Sequence, residues 1–289
     1  MRRVPTPTEE PVHRDTDAAA LRAQESAENF PVAARLLPKA LREALRAVYG
    51  VARTIDEIGD SSSGDRLAEL DEIERQIHEV WAGRPVACAA LERLRPVVKR
   101  HRLTSAPFLA LVEANRIDQN RSTYPTWADL RHYCTYSADP VGRIVLEILG
   151  ATRPDRVAMS DDVCTALQVL EHCQDVAEDR RHGRTYLPLD DLALHGVEET
   201  DLDAAVTSRA VRAVVAHQVE RAEALLRRGA PLVRTLHGSG RVAVAGYVGG
   251  GFATVDALRR ADFDVLAVVA RPRRRDMARH TFGVLVGRR

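Results

Sequence analysis

Residues 166–188 read ALQVLEHCQDVAEDRRHGRTYLP, and the spacing of their acids decides how the chain is understood. If the run is helical through about residue 181, Glu171, Asp175 and Asp179 recur every four residues as one acidic stripe. Gln168 then lies one turn below and Arg184 just beyond the end. Like charges at this spacing destabilise a helix by roughly 0.2–0.5 kcal/mol per pair, so the stripe needs a counter-cation or full solvation. Residues 49–60, YGVARTIDEIGD, repeat the device: Asp56 and Asp60 share a face, with Arg53 and Tyr49 on the preceding turns. Two such helices facing one another make a cage for hard divalent cations. Mg2+ suits it, because that ion takes six oxygen ligands and usually completes them with water and substrate phosphate.

Outward from these stretches the chain is helix after helix. Residues 41–60 keep a 3.6 period, with Leu41, Leu45, Val48, Ala52 and Ile55 expected on the buried side. Residues 65–82 are amphipathic and stop at Gly83. Further helices are expected over about 86–102, 106–119, 126–150, 161–181, 207–228 and 238–260, with a break at Asp139-Pro140, where proline interrupts the hydrogen-bond ladder. A short helix near 29–37 and a loop at 61–64 complete the pattern. Sustained alternation with β-branched residues is missing, so the fold class is all-α, as a single domain over residues 18–270. Residues 1–17, rich in Pro, Thr and charge, read as a disordered leader. Residues 271–289 form a basic tail in which arginines mix with Phe282, Val284, Leu285 and Val286; it reads as a surface helix with a frayed end, or as a peripheral attachment to an anionic membrane.

The 289 residues are 45% hydrophobic and 29% charged, with a formal net charge of +1, which argues against a general nucleic-acid binder. The four cysteines have no CxxC spacing and read as free thiols of a reducing cytoplasm. No apolar run approaches the ~18–20 residues of a membrane span, and the expected location is cytoplasmic.

Taken together, the motifs resemble the squalene/phytoene synthase family, from about Glu28 to Leu266. Its first aspartate-rich motif matches Tyr49-x3-Arg53-x2-Asp56-x3-Asp60, its second matches residues 168–179, and its RxYLP element matches residues 184–188. ENFPVAARLLP at 28–38, the run from Glu113 to Asp118, and SADPVGR at 137–143 are most similar to the hydroxysqualene-synthase branch. The resemblance implies an isoprenoid-synthase helical bundle around a deep central cavity, with both acidic helices at its mouth. By position, Asp56, Asp60, Glu171, Asp175 and Asp179 would hold Mg2+. Arg53, Gln168, Arg184 and Tyr186 would contact the diphosphate or close the site. Tyr49 and Tyr133 would stand near the reacting carbons, or else be core residues with bonded hydroxyls. Three departures stand out: Glu57 follows Asp56 where the branch has a second aspartate, Glu171 replaces an asparagine common in relatives, and Asp139 replaces asparagine.

The implied activity is Mg2+-dependent ionisation of an isoprenoid diphosphate, most specifically presqualene diphosphate with water as the trapping nucleophile. Two alternatives stay open: transfer of a short prenyl group such as dimethylallyl to a carbazole-type aromatic acceptor, and a non-catalytic isoprenoid-binding scaffold. Asp139, expected at a helix break beside the cavity, offers a way to alter the quench. Gly246, Gly249, Gly250 and Gly251 lie inside an expected helix, where each costs up to about 1 kcal/mol relative to alanine; helix packing or ligand clearance would explain them. His172 falls beside the acidic stripe but off its face, in a packing or supporting position.

Overall fold

The computed structural model describes residues 37–60 and 64–287. Helices α1 (Lys39–Gly59), α2 (Arg66–Trp81), α3 (Ala89–His101) and α4 (Ala106–Asn120) are followed by α5 (Trp127–Ser137) and α6 (Asp139–Ile148). Next come α7 (Pro154–Gln174), α8 (Val176–Arg181), α9 (Leu189–Leu194), α10 (Arg209–Gly229), α11 (Leu232–Thr235), α12 (Gly238–Arg260) and α13 (Arg274–Leu285), with a 3-10 turn at Glu199–Asp203. Among the described residues the only β pairing is one isolated parallel bridge, Thr123 to Thr185. The expected leader and residues 29–36 of the expected short helix lie outside the described residues, as do residues 61–63 of the expected loop.

Local signals place most helix ends. Asp65 caps α2 by accepting from the Ala68 amide at 3.1 Å, Thr126 and Asp129 form a reciprocal capping box on α5, and Ser208 caps α10 through the Val211 amide. Each such cap stabilises its helix by about 1 kcal/mol. The break between α5 and α6 falls at Ala138, which puts Pro140 in the first turn of α6, where its missing N–H costs nothing.

Two apolar clusters make the core. One joins α1, α2 and α3 to Phe108, Leu111 and Val112 of α4 and Ile144 and Ile148 of α6. The other surrounds α7, α10 and α12, with Ala114 of α4 and Leu146 of α6. Helices α4 and α6 therefore face both clusters and weld them together. Full burial of each Val, Leu or Ile contributes about 1.5–3 kcal/mol.

Three expectations are corrected, on α1, at the start of α7 and at Asp175. The buried stripe of α1 is Ala44, Val48, Val51, Ile55 and Gly59, rotated from the expected one; Leu41, Leu45 and Ala52 are only partly buried. Helix α7 starts at Pro154, seven residues before the expected start, because proline after Arg153 is preorganised for a first turn. The expected helix ending at 181 is two helices, divided at Asp175 (φ −106°, ψ 15°). The tail is helical through Leu285 and docks on α12 by burying Met277, His280 and Val284.

The glycines of α12 divide by role. A Cβ on Gly249 would lie 2.6 Å from the Thr281 amide nitrogen, so this glycine lets α13 approach the α12 backbone. A Cβ on Gly251 would press on Leu167 and Leu226. Gly250 is buried, yet a Cβ there would meet nothing within 4 Å. Tyr247, one turn earlier, is partly accessible although burial raises its phenol pKa, so this side of α12 borders open space within the bundle.

Candidate active site

Asp56 and Asp60 lie at the C-terminal end of α1, against the second half of α4. Gly59 makes this approach possible: a Cβ there would collide with the Asn115 side chain at 1.9 Å. The Asn115 amide donates to Asp56 Oδ1 at 3.3 Å and Gln119 to the Gly59 carbonyl at 3.0 Å. Arg53 reaches Glu57 at 3.2 Å, so the residue that departs from the family pattern is held by the arginine of the same motif. Tyr49 is partly buried on the turn before Arg53. Water reaches the Asp56 carboxylate, but the protein crowded around it raises its pKa to about 6; Asn115 and Arg53 oppose the rise, and Asp60 and Asp118 add to it.

The second acidic segment is built around the α7–α8 break. Hydrogen bonding continues across it, from the Asp175 amide to the Glu171 carbonyl at 3.0 Å and from the Asp179 amide to the Asp175 carbonyl at 2.8 Å. The Gln174 side chain donates to the Ala270 carbonyl and pins the turn to the segment entering α13. Burial raises the Asp175 pKa, with Asp179 and Glu178 adding, while His172 and Arg271 oppose the rise. Glu171 is on the exposed side of α7, Asp175 at the junction and Asp179 in α8.

His172 ties this segment together. Its buried ring stacks on Tyr186 with centroids 3.8 Å apart and planes 10° from parallel. Gln168 lies 3.1 Å from its Nε2, and Asp179 Oδ2 is 3.8 Å from Nδ1. Gln168, expected to touch diphosphate, is thus engaged with His172 in this structure.

The RTYLP element joins the two halves. Gly183 adopts φ +74°, a left-handed conformation that suits glycine, and turns the chain back after α8. The Arg184 guanidinium then donates to Asp60 Oδ1 at 3.3 and 3.4 Å, across 124 residues of sequence. The Thr185 amide donates to the Ser122 carbonyl at 2.7 Å and the Leu189 amide to the Tyr124 carbonyl at 2.9 Å. This pairing brings three phenol rings together: Tyr124 lies 5.2 Å from Tyr133 and 5.6 Å from Tyr186, centroid to centroid. Tyr133 donates to Asp118 at 2.6 Å and Tyr186 to the other oxygen at 3.4 Å. Burial raises the pKa of Asp118 and of both phenols.

Contacts therefore run from Asp56 to Asn115 on α4 and, one turn on along the same helix, from Asp118 to Tyr186, His172 and Asp179. Asn115, Asp118 and Tyr124 had no assigned role from sequence. The signal that could have found the first two is their i, i+3 spacing in α4, which puts them on one face toward α1. Among the described residues no three carboxylate, histidine or cysteine side chains form a group able to hold a metal ion. The donor chemistry nevertheless fits a hard cation: the donors are carboxylate oxygens, and crowding by protein and by other acids raises the pKa of Asp56 and Asp175.

Space near these residues is limited. A void of about 10 Å³, room for roughly one water, lies among residues that include His172, Asp179, Arg184 and Tyr186. A larger cleft of about 260 Å³ lies at the other end of the bundle, lined by residues including Thr104, Pro107, Arg143 and Glu147. Asp139 is wholly buried in the core, where it binds Arg131 and Thr165, each at 2.9 Å.

This bundle, with paired acidic segments brought to one end, has the fold of a class I terpenoid synthase. The chain belongs to the squalene/phytoene synthase family, which it matches over residues 23–279. It is 34% identical to the hydroxysqualene synthase of Zymomonas mobilis subsp. mobilis, over 73% of this chain and 71% of that one. It is 32% identical to the phytoene synthase of Arthrospira platensis, over 68% of each. Among solved structures, squalene synthase HpnC from Alicyclobacillus acidocaldarius is 39% identical, with a TM-score of 0.78 over 88% of this chain and 97% of that one. A dehydrosqualene synthase bound to ligand shares the fold at 24% identity, with a TM-score of 0.82 over 94% of this chain and 96% of that one. The chain is accordingly an enzyme that uses a prenyl diphosphate and releases diphosphate.

Proposed function

We propose that this enzyme is a hydroxysqualene synthase, converting presqualene diphosphate and water to hydroxysqualene and diphosphate. The observation that supports the reading is the Arg184–Asp60 contact, which ties the RTYLP element, just after the second motif, to the first. The 34% identity to a hydroxysqualene synthase supports the choice within the family.

Asp56, Asp60, Asp175 and Asp179, with Glu171 at the edge, would hold Mg2+. The bound ion would neutralise the diphosphate and let its carbon–oxygen bond ionise. Arg184, held on Asp60, is placed to pass its charge to the incoming diphosphate, and Arg53 stands one turn below on α1. Gln168 and His172 fix the Tyr186 ring and support Asp179. Burial, with the hydrogen bond it donates to Asp118, keeps the Tyr133 phenol neutral, and its π system would be a partner for a carbocation. Tyr49, on the turn before Arg53, would share that role. The apolar bundle restricts access of water to the cation, so that capture occurs at one carbon.

Purified protein incubated with Mg2+ and presqualene diphosphate should yield hydroxysqualene in the organic extract. A prenylated arene formed only from dimethylallyl diphosphate plus a carbazole-type acceptor would replace this reading with aromatic prenyl transfer. Absence of diphosphate release from every substrate would replace it with a non-catalytic role. Asp139 stands at the helix break as its sequence suggests, and is held there by Arg131 and Thr165.

A further inference from the structure

Beside the second acidic segment the surface turns apolar. Val206, Val268 and Val269 are 72%, 50% and 56% exposed, on two loops separated in sequence by α10 and α12. These loops are fastened together: the Thr207 hydroxyl donates to Asp264 at 2.5 Å and accepts from the Leu266 amide at 3.1 Å. Arg212 adds an ion pair to Asp264 at 2.9 Å. The valines therefore project from a braced ridge.

That ridge runs into the site. Ala270, the next residue after Val269, accepts the Gln174 side chain, and Arg271 lies close enough to Asp175 to oppose the rise in its pKa. Beyond it, Arg273, Arg274 and Arg275 are all exposed. Arg275 has a 4.0 Å contact with Asp276, whereas Arg273 and Arg274 make no ion pair among the described residues. A fixed apolar ridge continued by exposed arginines has the two features that attract a protein to an anionic lipid surface: side chains for the acyl boundary and cations for the headgroups. No described helix is long and apolar enough to cross a membrane.

We propose that the Val206/Val268–Val269 ridge and Arg273–Arg274 dock this enzyme on an anionic bilayer, with the acidic site beside the lipid surface. This rests on the isoprenoid-diphosphate reading for its purpose: substrate and product carry long hydrocarbon chains, and docking lets them pass between bilayer and protein with little exposure to water.

Sedimentation of the full chain with vesicles tests it. The chain should pellet with phosphatidylcholine vesicles containing phosphatidylglycerol, be released by added salt, and pellet poorly with phosphatidylcholine alone. R273E/R274E and V268E/V269E should each lower the bound-to-free ratio on anionic vesicles by about tenfold or more. Both should keep wild-type thermal melting and wild-type diphosphate release from detergent-dispersed substrate. Failure to pellet, equal binding to neutral vesicles, or wild-type binding by both variants would overturn the proposal. Sedimentation needs no turnover, so a wild-type chain that pellets but releases no diphosphate would refute the catalytic reading and leave the docking surface standing.

Discussion

At the scale of single residues, the most informative side chain is one to which sequence attached no role. Asp118 accepts from both Tyr133 and Tyr186 and lies close enough to Asp56 to add to the rise in its pKa. Asp118→Asn keeps the shape but removes the charge, and should lower turnover by about ten- to a hundredfold with an unchanged circular dichroism spectrum. Wild-type turnover would show that the contact is only structural. Asp56, with a pKa near 6, must lose its proton to hold a cation. Turnover at limiting Mg2+ should therefore rise with pH through about 6, and a pH–rate profile flat from 5 to 7 would contradict the assignment of Asp56. Asp139 gives the corresponding stability prediction. Its folded pKa is raised from 3.8 to about 6 by burial, with Asp161 adding and Arg131 and Thr165 opposing. The native state thus binds this proton more tightly than the unfolded chain does, so the contribution to stability is present at low pH and lost as pH rises through about 6. Asp139→Asn should flatten that part of the melting-temperature profile between pH 4 and 7. The residues legible from sequence were those in short repeated spacings; Asn115, Asp118 and Tyr124 were not, because their importance comes from what α1 and the RTYLP element bring to them.

At the scale of elements, adjacent glycines of α12 make opposite predictions. Gly249→Ala places a methyl group against the Thr281 backbone of α13 and should destabilise the fold by about 1–3 kcal/mol in chemical denaturation. Gly250→Ala meets nothing and should stabilise it by up to about 1 kcal/mol through helix propensity, while narrowing the space beside Tyr247. Equal effects of the two changes would refute this division. The sequence reading could not choose between packing and clearance, because adjacent positions on a helix point 100° apart and only the neighbouring helices decide what each one meets. The same limit applies to the break at Asp175. A four-residue spacing survives a short interruption when the i to i+4 hydrogen bonds continue across it, so the periodicity gives no sign of the break; Gln174 and its bond to Ala270 join elements almost a hundred residues apart.

At the scale of the whole molecule, helix order and the all-α class were legible because apolar periodicity and capping residues are local. The convergence of the two motifs was implied by resemblance alone. Its physical basis is distributed: Gly59 admits α4, α4 and α6 weld the two apolar clusters, Gly183 turns the chain, and Arg184 spans to Asp60. The account accordingly requires that residues from α1 and from the α7–α8 junction act as one cation site. Calorimetric titration of inorganic diphosphate in the presence of Mg2+, on wild type, Asp56→Ala, Asp175→Ala and the double variant, measures this directly. Each single change should weaken Mg2+-dependent binding by about a hundredfold or more, and the double variant should lose little beyond either one. Wild-type affinity in either single variant, or losses that simply add, would contradict a shared site.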